Sequence, residues 1–177
     1  MLFRQLFDPL SSTLTYLIAD ETKHAVIIDP VLEQLPRDLA LIQSQGLTLD
    51  FVLDTHVHAD HITASTALKN ATGAITVIAQ NCGAPGYDRL LVDDELIAFG
   101  GETLRVLATP GHTLGSLCYL WRDRLFSGDT LMINACGRTD FQSGDAEQMF
   151  DSITEKLFVL PDETLLYPGH DYKGRRV

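Results

Sequence analysis

The chain has 177 residues, 45% hydrophobic and 21% charged, and 13 Lys+Arg against 24 Asp+Glu give it a formal net charge of -11. A chain this long buries about 68–70% of its unfolded surface and folds without staples, so a single domain spanning 1–177 is expected. An acidic surface repels phosphate backbones, which argues against nucleic acid as a partner, and no apolar run approaches the roughly 20 residues that a membrane-spanning helix needs.

Thr13–Ala19 and Ala25–Asp29 are β-rich runs joined by the turn-like DETKH, so they read as neighbouring strands. Leu35, Leu39 and Ile42 fall at helical spacing within Glu33–Gln45, and Gly46 stops that helix. Phe51–Thr55 is a short buried strand, His61–Ala71 a helix that starts just after a His-rich turn, and Ile75–Ala79 a further strand. Gln80–Asp94 holds Gly83, Pro85 and Gly86 and reads as a loop. Glu95–Phe99 and Glu102–Ala108 flank Gly100-Gly101, a hairpin signal. Ser116–Trp121 and Leu125–Ser127 flank an Arg-Asp-Arg turn, and Leu131–Gly144 is irregular. Asp145–Leu157 carries Met149, Ile153 and Leu157 on one helical face, and Leu165–Tyr167 is the last strand. Strands in hairpins, interrupted by single helices, predict an α/β sandwich with helices packed outside the sheets.

Cys82, Cys118 and Cys136 are odd in number and form no CxxC pair, which fits a reducing compartment. The opening MLFRQLFDP has no basic segment ahead of a long apolar stretch, so no signal peptide is visible and a cytoplasmic location is expected.

Five of the six histidines lie in three polar turns, each after a strand: Thr55-His56-Val57-His58-Ala59-Asp60-His61, Pro110-Gly111-His112-Thr113 and Pro168-Gly169-His170-Asp171-Tyr172. Ser127-Gly128-Asp129-Thr130 joins them. Imidazole and carboxylate suit borderline divalent metals such as Fe(II) and Zn(II). Residues two apart in an extended segment point the same way, so His56 and His58 can face one site while a turn returns Asp60 and His61 to it. Glycines before His112 and Asp129 let the backbone bend close to a metal. A lone turn histidine is usually a surface hydrogen-bonding group, and His24 is set aside as one. Asp54, beside the cluster, is either a strand-end cap or part of the site.

HVHADH, PGHTLGS, SGDT and PGHDY resemble the signature of metallo-β-lactamase-fold hydrolases and oxygenases, and the resemblance runs from the first strands through His170. It implies an αββα sandwich with metal at one edge of the sheets. Members of this kind usually continue with a helical stretch beyond the last His motif, so a sandwich lacking that C-terminal extension is expected. Two subfamilies compete, namely glyoxalase II, which hydrolyses glutathione thioesters at a two-metal site, and persulfide dioxygenase, which oxidises glutathione persulfide to sulfite with O₂. The segment Ala135-Cys136-Gly137-Arg138-Thr139-Asp140-Phe141-Gln142 resembles the persulfide dioxygenase signature, as do FRQLFDP at the start and Ile28-Asp29-Pro30-Val31.

The resemblance implies one Fe(II) per chain held by His56, His112 and Asp129, a two-His, one-carboxylate arrangement with open positions for O₂ and a persulfide sulfur. Asp60, His61 and His170 hold a second metal in the hydrolase relatives. In a mononuclear enzyme they orient ligands and water and count as catalytic residues, with Tyr172. His58 is either a ligand in a zinc form or a supporting partner. Arg138 is the candidate contact for a substrate carboxylate, Tyr172 closes the pocket or binds substrate, and Cys136 has no required step. Lys173, Arg175 and Arg176 form a basic run that can attract glutathione's carboxylates or remain a solvated tail. The alternatives are a binuclear Zn(II) or mixed-metal thioesterase and a non-catalytic metal-binding partner module. A sulfurtransferase that supplies the persulfide and a homodimeric assembly both stay open.

Overall fold

In the computed structural model two sheets face each other, with helices on their outer faces; residues 1–172 are described. The basic run Lys173, Arg175 and Arg176 lies outside the described residues. The first sheet has the order β1 (Leu2–Phe7), β2 (Leu14–Ala19), β3 (His24–Ile28), β4 (Thr48–Leu53), β5 (Ile75–Ala79) and β6 (Arg89–Leu91). Its first three strands pair antiparallel, and β3 through β6 run parallel. The second sheet contains β7 (Leu96–Phe99), β8 (Glu102–Ala108), β9 (Leu117–Trp121), β10 (Arg124–Gly128) and β11 (Leu165–Pro168). All its neighbours pair antiparallel except β10 and β11.

The central strands read as unbroken apolar runs because both of their faces are covered. Side-chain alternation divides them between two cores. Leu14, Tyr16 and Ile18 of β2 and Val26 and Ile28 of β3 join Tyr119, Trp121 and Phe126 between the sheets. Leu17, Ala19, Ala25 and Ile27 face outward. There they meet Leu35 and Leu39 of α1 (Leu35–Ser44) and Leu68 of α2 (Ser65–Thr72). A smaller cluster of Leu107, Cys118, Leu125 and Leu157 lies under the segment that follows α3 (Ala146–Asp151). Among the described residues no helix is long and apolar enough to cross a membrane.

Four boundaries differ from expectation, for local reasons. Strand β1 carries an exposed Arg4-Gln5 and pairs only with β2, so as an edge strand it lacks the apolar signal of its neighbours. Strand β6 is short and embedded in the Gly- and Pro-rich stretch. Helix α2 begins at Ser65, not His61, because Thr63 pairs with Val31 and Ala64 N–H donates to the Pro30 carbonyl, which draws 61–64 into extended structure. Beyond Asp151 the predicted helix widens into a π-helical turn over Ser152–Leu157, where Phe158 N–H reaches back five residues to Ile153.

The ends of the two sheets are stitched where the polar turns lie. Leu117 N–H donates to the Thr55 carbonyl (2.8 Å), Gly169 N–H to Gly128 (2.7 Å) and Leu14 N–H to Gly169 (2.8 Å). Tyr16, 1% exposed, donates its hydroxyl to the Pro168 carbonyl at 2.6 Å, directly ahead of the His170 turn. Tyr16→Phe leaves that carbonyl unpaired in the core and is expected to destabilise the protein by about 1–3 kcal/mol. Urea denaturation at fixed metal loading checks this, and an unchanged midpoint would show that the bond contributes nothing.

Candidate metal centre

His56 leaves the end of β4 buried, at 2% exposure. Its neighbour Thr55 donates its hydroxyl to Asp29 Oδ2 (2.8 Å) and lies 2.9 Å from His56 Nδ1. Thr55 has a single proton and uses it on the carboxylate, so Nδ1–H of His56 is the donor in the second contact. The neutral ring then presents a bare Nε2. Burial among His58, His112 and His170 holds the His56 pKa well below its usual value, which favours that neutral form.

His112 reaches the same tautomer by another route. Its Nδ1–H donates to the backbone carbonyl of Arg138 at 2.8 Å, and Nε2 lies 3.6 Å from Asp129 Oδ2. A hydrogen bond to the far ring nitrogen is how proteins aim a ligating imidazole. The His56 and His112 rings stand nearly perpendicular, with centroids 4.9 Å apart. Each of His56, His112 and Asp129 offers a ligand atom within 4.8 Å of the other two, and all three are buried. Asp129 Oδ1 is buried without a hydrogen bond, a costly state for a carboxylate oxygen unless a cation meets it. The donor set and this unpaired oxygen fit a divalent metal.

The glycines before His112 and Asp129 have positive φ, 147° at Gly111 and 50° at Gly128, as the turns require. Gly137 acts by close approach instead. A Cβ there would lie 2.4 Å from the Asp129 carbonyl oxygen and 2.9 Å from His112 Nδ1.

His58 departs from the shared orientation that its spacing suggests. Its ring lies 4.2 Å from that of His56, but Nε2 turns to Asp29 Oδ1 at 3.1 Å and lies 3.9 Å from Asp54 Oδ1. Burial opposes its charge, yet Asp29 and Asp54 outweigh it and push the His58 pKa up to about 9. Burial raises the pKa of Asp54, whose carboxylate accepts hydroxyls from Thr63 (2.8 Å), Ser65 (2.6 Å) and Tyr87 (2.7 Å). Asp54 is therefore an anchor beneath the loop rather than a cap. Asp29 and Tyr87 were not singled out for the site from the sequence; the positive φ of Asp29 (50°) before Pro30 marks it only once the backbone is known.

Asp60, His61 and His170 form the far side of the site. Asp60 Oδ2 lies 3.0 Å from His61 Nδ1 and 3.6 Å from His170 Nε2, and His170 Nε2 is 3.4 Å from Asp129 Oδ1. Burial opposes ionisation of Asp60, but His61 and His170 hold its pKa below the usual carboxylate range. Tyr172 stacks on His170 at 5.0 Å and is 65% exposed, and burial beside Asp129 pushes its pKa up to about 12. A cleft of about 370 Å³ opens over these groups, walled by Met132, Arg138, Phe141 and Gln142. The Arg138 guanidinium is exposed at the rim, paired with Asp140 at 2.8 Å and lying over the Phe141 ring. Cys136 is exposed and unpaired.

Gly137→Ala is expected to push the Asp129 backbone and the His112 ring apart and to lower metal content per chain by about 10-fold or more, with the fold retained. Metal analysis beside circular dichroism checks this, and a folded variant with full metal content would remove the close-approach argument.

A family model described as the metallo-beta-lactamase superfamily matches residues 8–170. Persulfide dioxygenase ETHE1 of Homo sapiens, named as mitochondrial, is 47% identical over 178 residues, covering 98% of this chain and 70% of the relative. A hydroxyacylglutathione hydrolase of Photobacterium profundum is 36% identical over 173 residues, covering 97% and 67%. The crystal structure of ETHE1 from Myxococcus xanthus superposes with a TM-score of 0.96 at 57% identity, covering 99% of this chain and 78% of that one. The fold, the grouped His and Asp ligands and these likenesses agree, and the chain belongs to the metallo-beta-lactamase superfamily and, within it, to the persulfide dioxygenases.

Proposed function

We propose that this persulfide dioxygenase oxidises glutathione persulfide with O₂ at a single iron held by His56, His112 and Asp129, within one domain spanning 1–177. The observation that carries the reading is the pair of bare Nε2 atoms and the unpaired Asp129 oxygen, facing one another across a cleft wide enough for a thiol-borne sulfur. Overall, one persulfide, one O₂ and one water give sulfite, glutathione and two protons, so the terminal sulfur loses four electrons and O₂ gains them. Bound iron supplies the redox chemistry that joins O₂ to that sulfur.

The chain's own residues do the rest. Met132 and Phe141 give the cleft apolar walls that limit water around the reacting sulfur. His170 Nε2 lies 3.6 Å from Asp60 Oδ2 and 3.4 Å from Asp129 Oδ1, and its ring bounds the ligating carboxylate on that side. Asp60 and His61 orient the water that releases sulfite. Arg138 receives a carboxylate of the thiol carrier, sharing its guanidinium with Asp140, and Tyr172 shields the His170 side. Three unpaired cysteines suit a reducing, cytoplasmic setting. A sulfurtransferase is the class of enzyme that would deliver the persulfide, and a homodimer is the proposed assembly.

The second reading is a binuclear thioesterase, favoured by one observation: His58, Asp60 and His61 also offer ligand atoms within 4.8 Å of one another. Metal count separates the two. Protein reconstituted anaerobically with Fe(II) is expected to hold one iron per chain and to consume O₂ with sulfite formed when glutathione persulfide is added; His112→Ala is expected to do neither. Two metals per chain with thioester hydrolysis and no O₂ uptake would overturn the dioxygenase reading. Arg138→Gln is expected to raise KM for glutathione persulfide by up to about 5-fold with kcat unchanged, the scale of an exposed ion pair. A fall in kcat at constant KM would place Arg138 elsewhere in the mechanism.

A further inference from the structure

Gln142 stands where two hollows meet. The cleft over the metal centre, about 370 Å³, and a second hollow of about 290 Å³ share its side chain, and Val57, Cys82, Thr113, Leu114 and Ser143 line the second. Val57 directly follows His56, and Leu114 lies two residues beyond His112, so this hollow flanks the turns that carry two of the proposed ligands. Both apolar side chains are exposed. No step of the proposed reaction uses the second hollow.

The backbone at this divide is strained. Residues 141–144 make a turn closed by Gly144 N–H on the Phe141 carbonyl (2.8 Å), and both central residues have positive φ, 47° at Gln142 and 59° at Ser143. Turns of that kind ordinarily take Asn-Gly, because larger L side chains crowd their own backbone there. Gln-Ser is a poor local choice, so contacts outside the turn impose its shape. Two of them are anchors on the His112 turn. The Arg138 carbonyl accepts His112 Nδ1–H at 2.8 Å, and Asp145 N–H bonds the Gly111 carbonyl at 2.8 Å. The third is the Gln142 side chain, whose Nε2 donates to the Val57 carbonyl at 3.1 Å across 85 positions of sequence. A carbonyl only accepts, so the contact needs the amide N–H. This bond runs from the wall of the metal cleft to the peptide between His56 and His58, and it spans the place where the two hollows would join.

We propose that Gln142 is a specificity-determining residue: its hydrogen bond to Val57 keeps the second hollow apart from the metal cleft and so restricts the cleft to carriers that are slim next to their sulfur. Glutathione, which carries its sulfur on a CH₂ group, fits that restriction, and a fused-ring carrier does not. With the bond gone the side chain swings toward solvent, and the apolar side of the second hollow, at Val57, Cys82 and Leu114, becomes room for a wider carrier. The proposal rests on the dioxygenase reading only in that a thiol-borne sulfur enters the cleft; it needs no oxygen chemistry.

The test is isothermal titration calorimetry of the full chain loaded with Zn(II), with thiophenol and with 2-naphthalenethiol as ligands. Zinc holds a thiolate without redox chemistry. The two thiols bind through the same group and differ by one fused ring, so the ratio of their Kd values reports the room beside the sulfur. Wild type is expected to bind thiophenol more tightly. Gln142→Ala removes both wall and donor, whereas Gln142→Glu keeps the bulk but sets an acceptor against the Val57 carbonyl. Both are expected to shift the ratio toward 2-naphthalenethiol by about 10-fold, with zinc content per chain unchanged. An unmoved ratio, or both thiols weakened alike as the loss of a mere brace would give, would overturn the proposal. A shift in Gln142→Ala alone would show that bulk makes the wall and would overturn the role of the hydrogen bond. Wild type that binds neither thiol would overturn the thiol-carrier reading, and the specificity role with it.

Discussion

Asp29 leaves β3 in a left-handed turn and turns both carboxylate oxygens to the loop that follows β4. Oδ1 accepts Thr55 N–H at 2.7 Å and meets His58 Nε2 at 3.1 Å, and Oδ2 accepts the Thr55 hydroxyl at 2.8 Å. Burial raises the cost of this charge, but His58 and Thr55 outweigh it and hold the Asp29 pKa below its usual value. The loop between β4 and α2 is tied backbone to backbone near its two ends, at Thr55 and over Ile62–Ala64. Its shape comes from this carboxylate, from Asp54 beneath it and from Gln142 Nε2 bonding the Val57 carbonyl. Remove Asp29 and three donors lose their acceptor at once, among them the hydroxyl that sets the tautomer of His56. A buried charge left without partners, or partners left without their charge, costs several kcal/mol, so the loop and the carboxylate are ordered together or not at all.

The sheet order makes such a loop useful. Strands β4, β8, β10 and β11 are far apart in sequence, yet the turns that follow them are joined by short backbone hydrogen bonds between Thr55 and Leu117 and between Gly128 and Gly169. Each turn then contributes one or two short side chains, whose reach is small and whose position follows the backbone closely. The histidines differ in what holds them: Thr55 for His56, a carbonyl for His112, two carboxylates for His58. An acidic chain with a net charge of -11 is well supplied with such acceptors, and much of its buried acid surrounds these rings.

Much of this was legible in the sequence, in proportion to how local each signal is. The β-rich apolar runs, the Gly100-Gly101 hairpin and the His-rich turns after strands are short-range patterns, and the structure carries them. The late start of α2 was not legible, since residues 61–64 run straight into the helical stretch and are drawn out of it only by pairing with Pro30–Leu32, some thirty positions earlier. His58 illustrates the same limit. Its spacing from His56 predicts a common direction, and Asp29 at the end of β3, with Asp54 four residues earlier in its own loop, turns it aside. Tyr87 looked like an ordinary loop residue because its partner is distant in sequence. Gly137 stood in a recognisable motif, but the reason for its size, contact with both Asp129 and His112, exists only in three dimensions.

That last contact bears on why related chains with similar ligands run different reactions. The segment 135–142, whose sequence resembles the dioxygenases rather than the hydrolases, does more than wall the cleft. Gly137 N–H bonds the Asp129 carbonyl at 2.7 Å, the Arg138 carbonyl takes the His112 proton, and Gln142 ties the segment to the His56–His58 loop. The same eight residues therefore orient two of the three proposed ligands and place Arg138 and Phe141 on the wall of the cleft. A change in this segment cannot alter substrate contacts without also altering how the ligands are aimed. Reaction type and substrate recognition are coupled through one stretch of backbone, which accounts for a dioxygenase-like signature there while the His and Asp motifs themselves are shared across the superfamily.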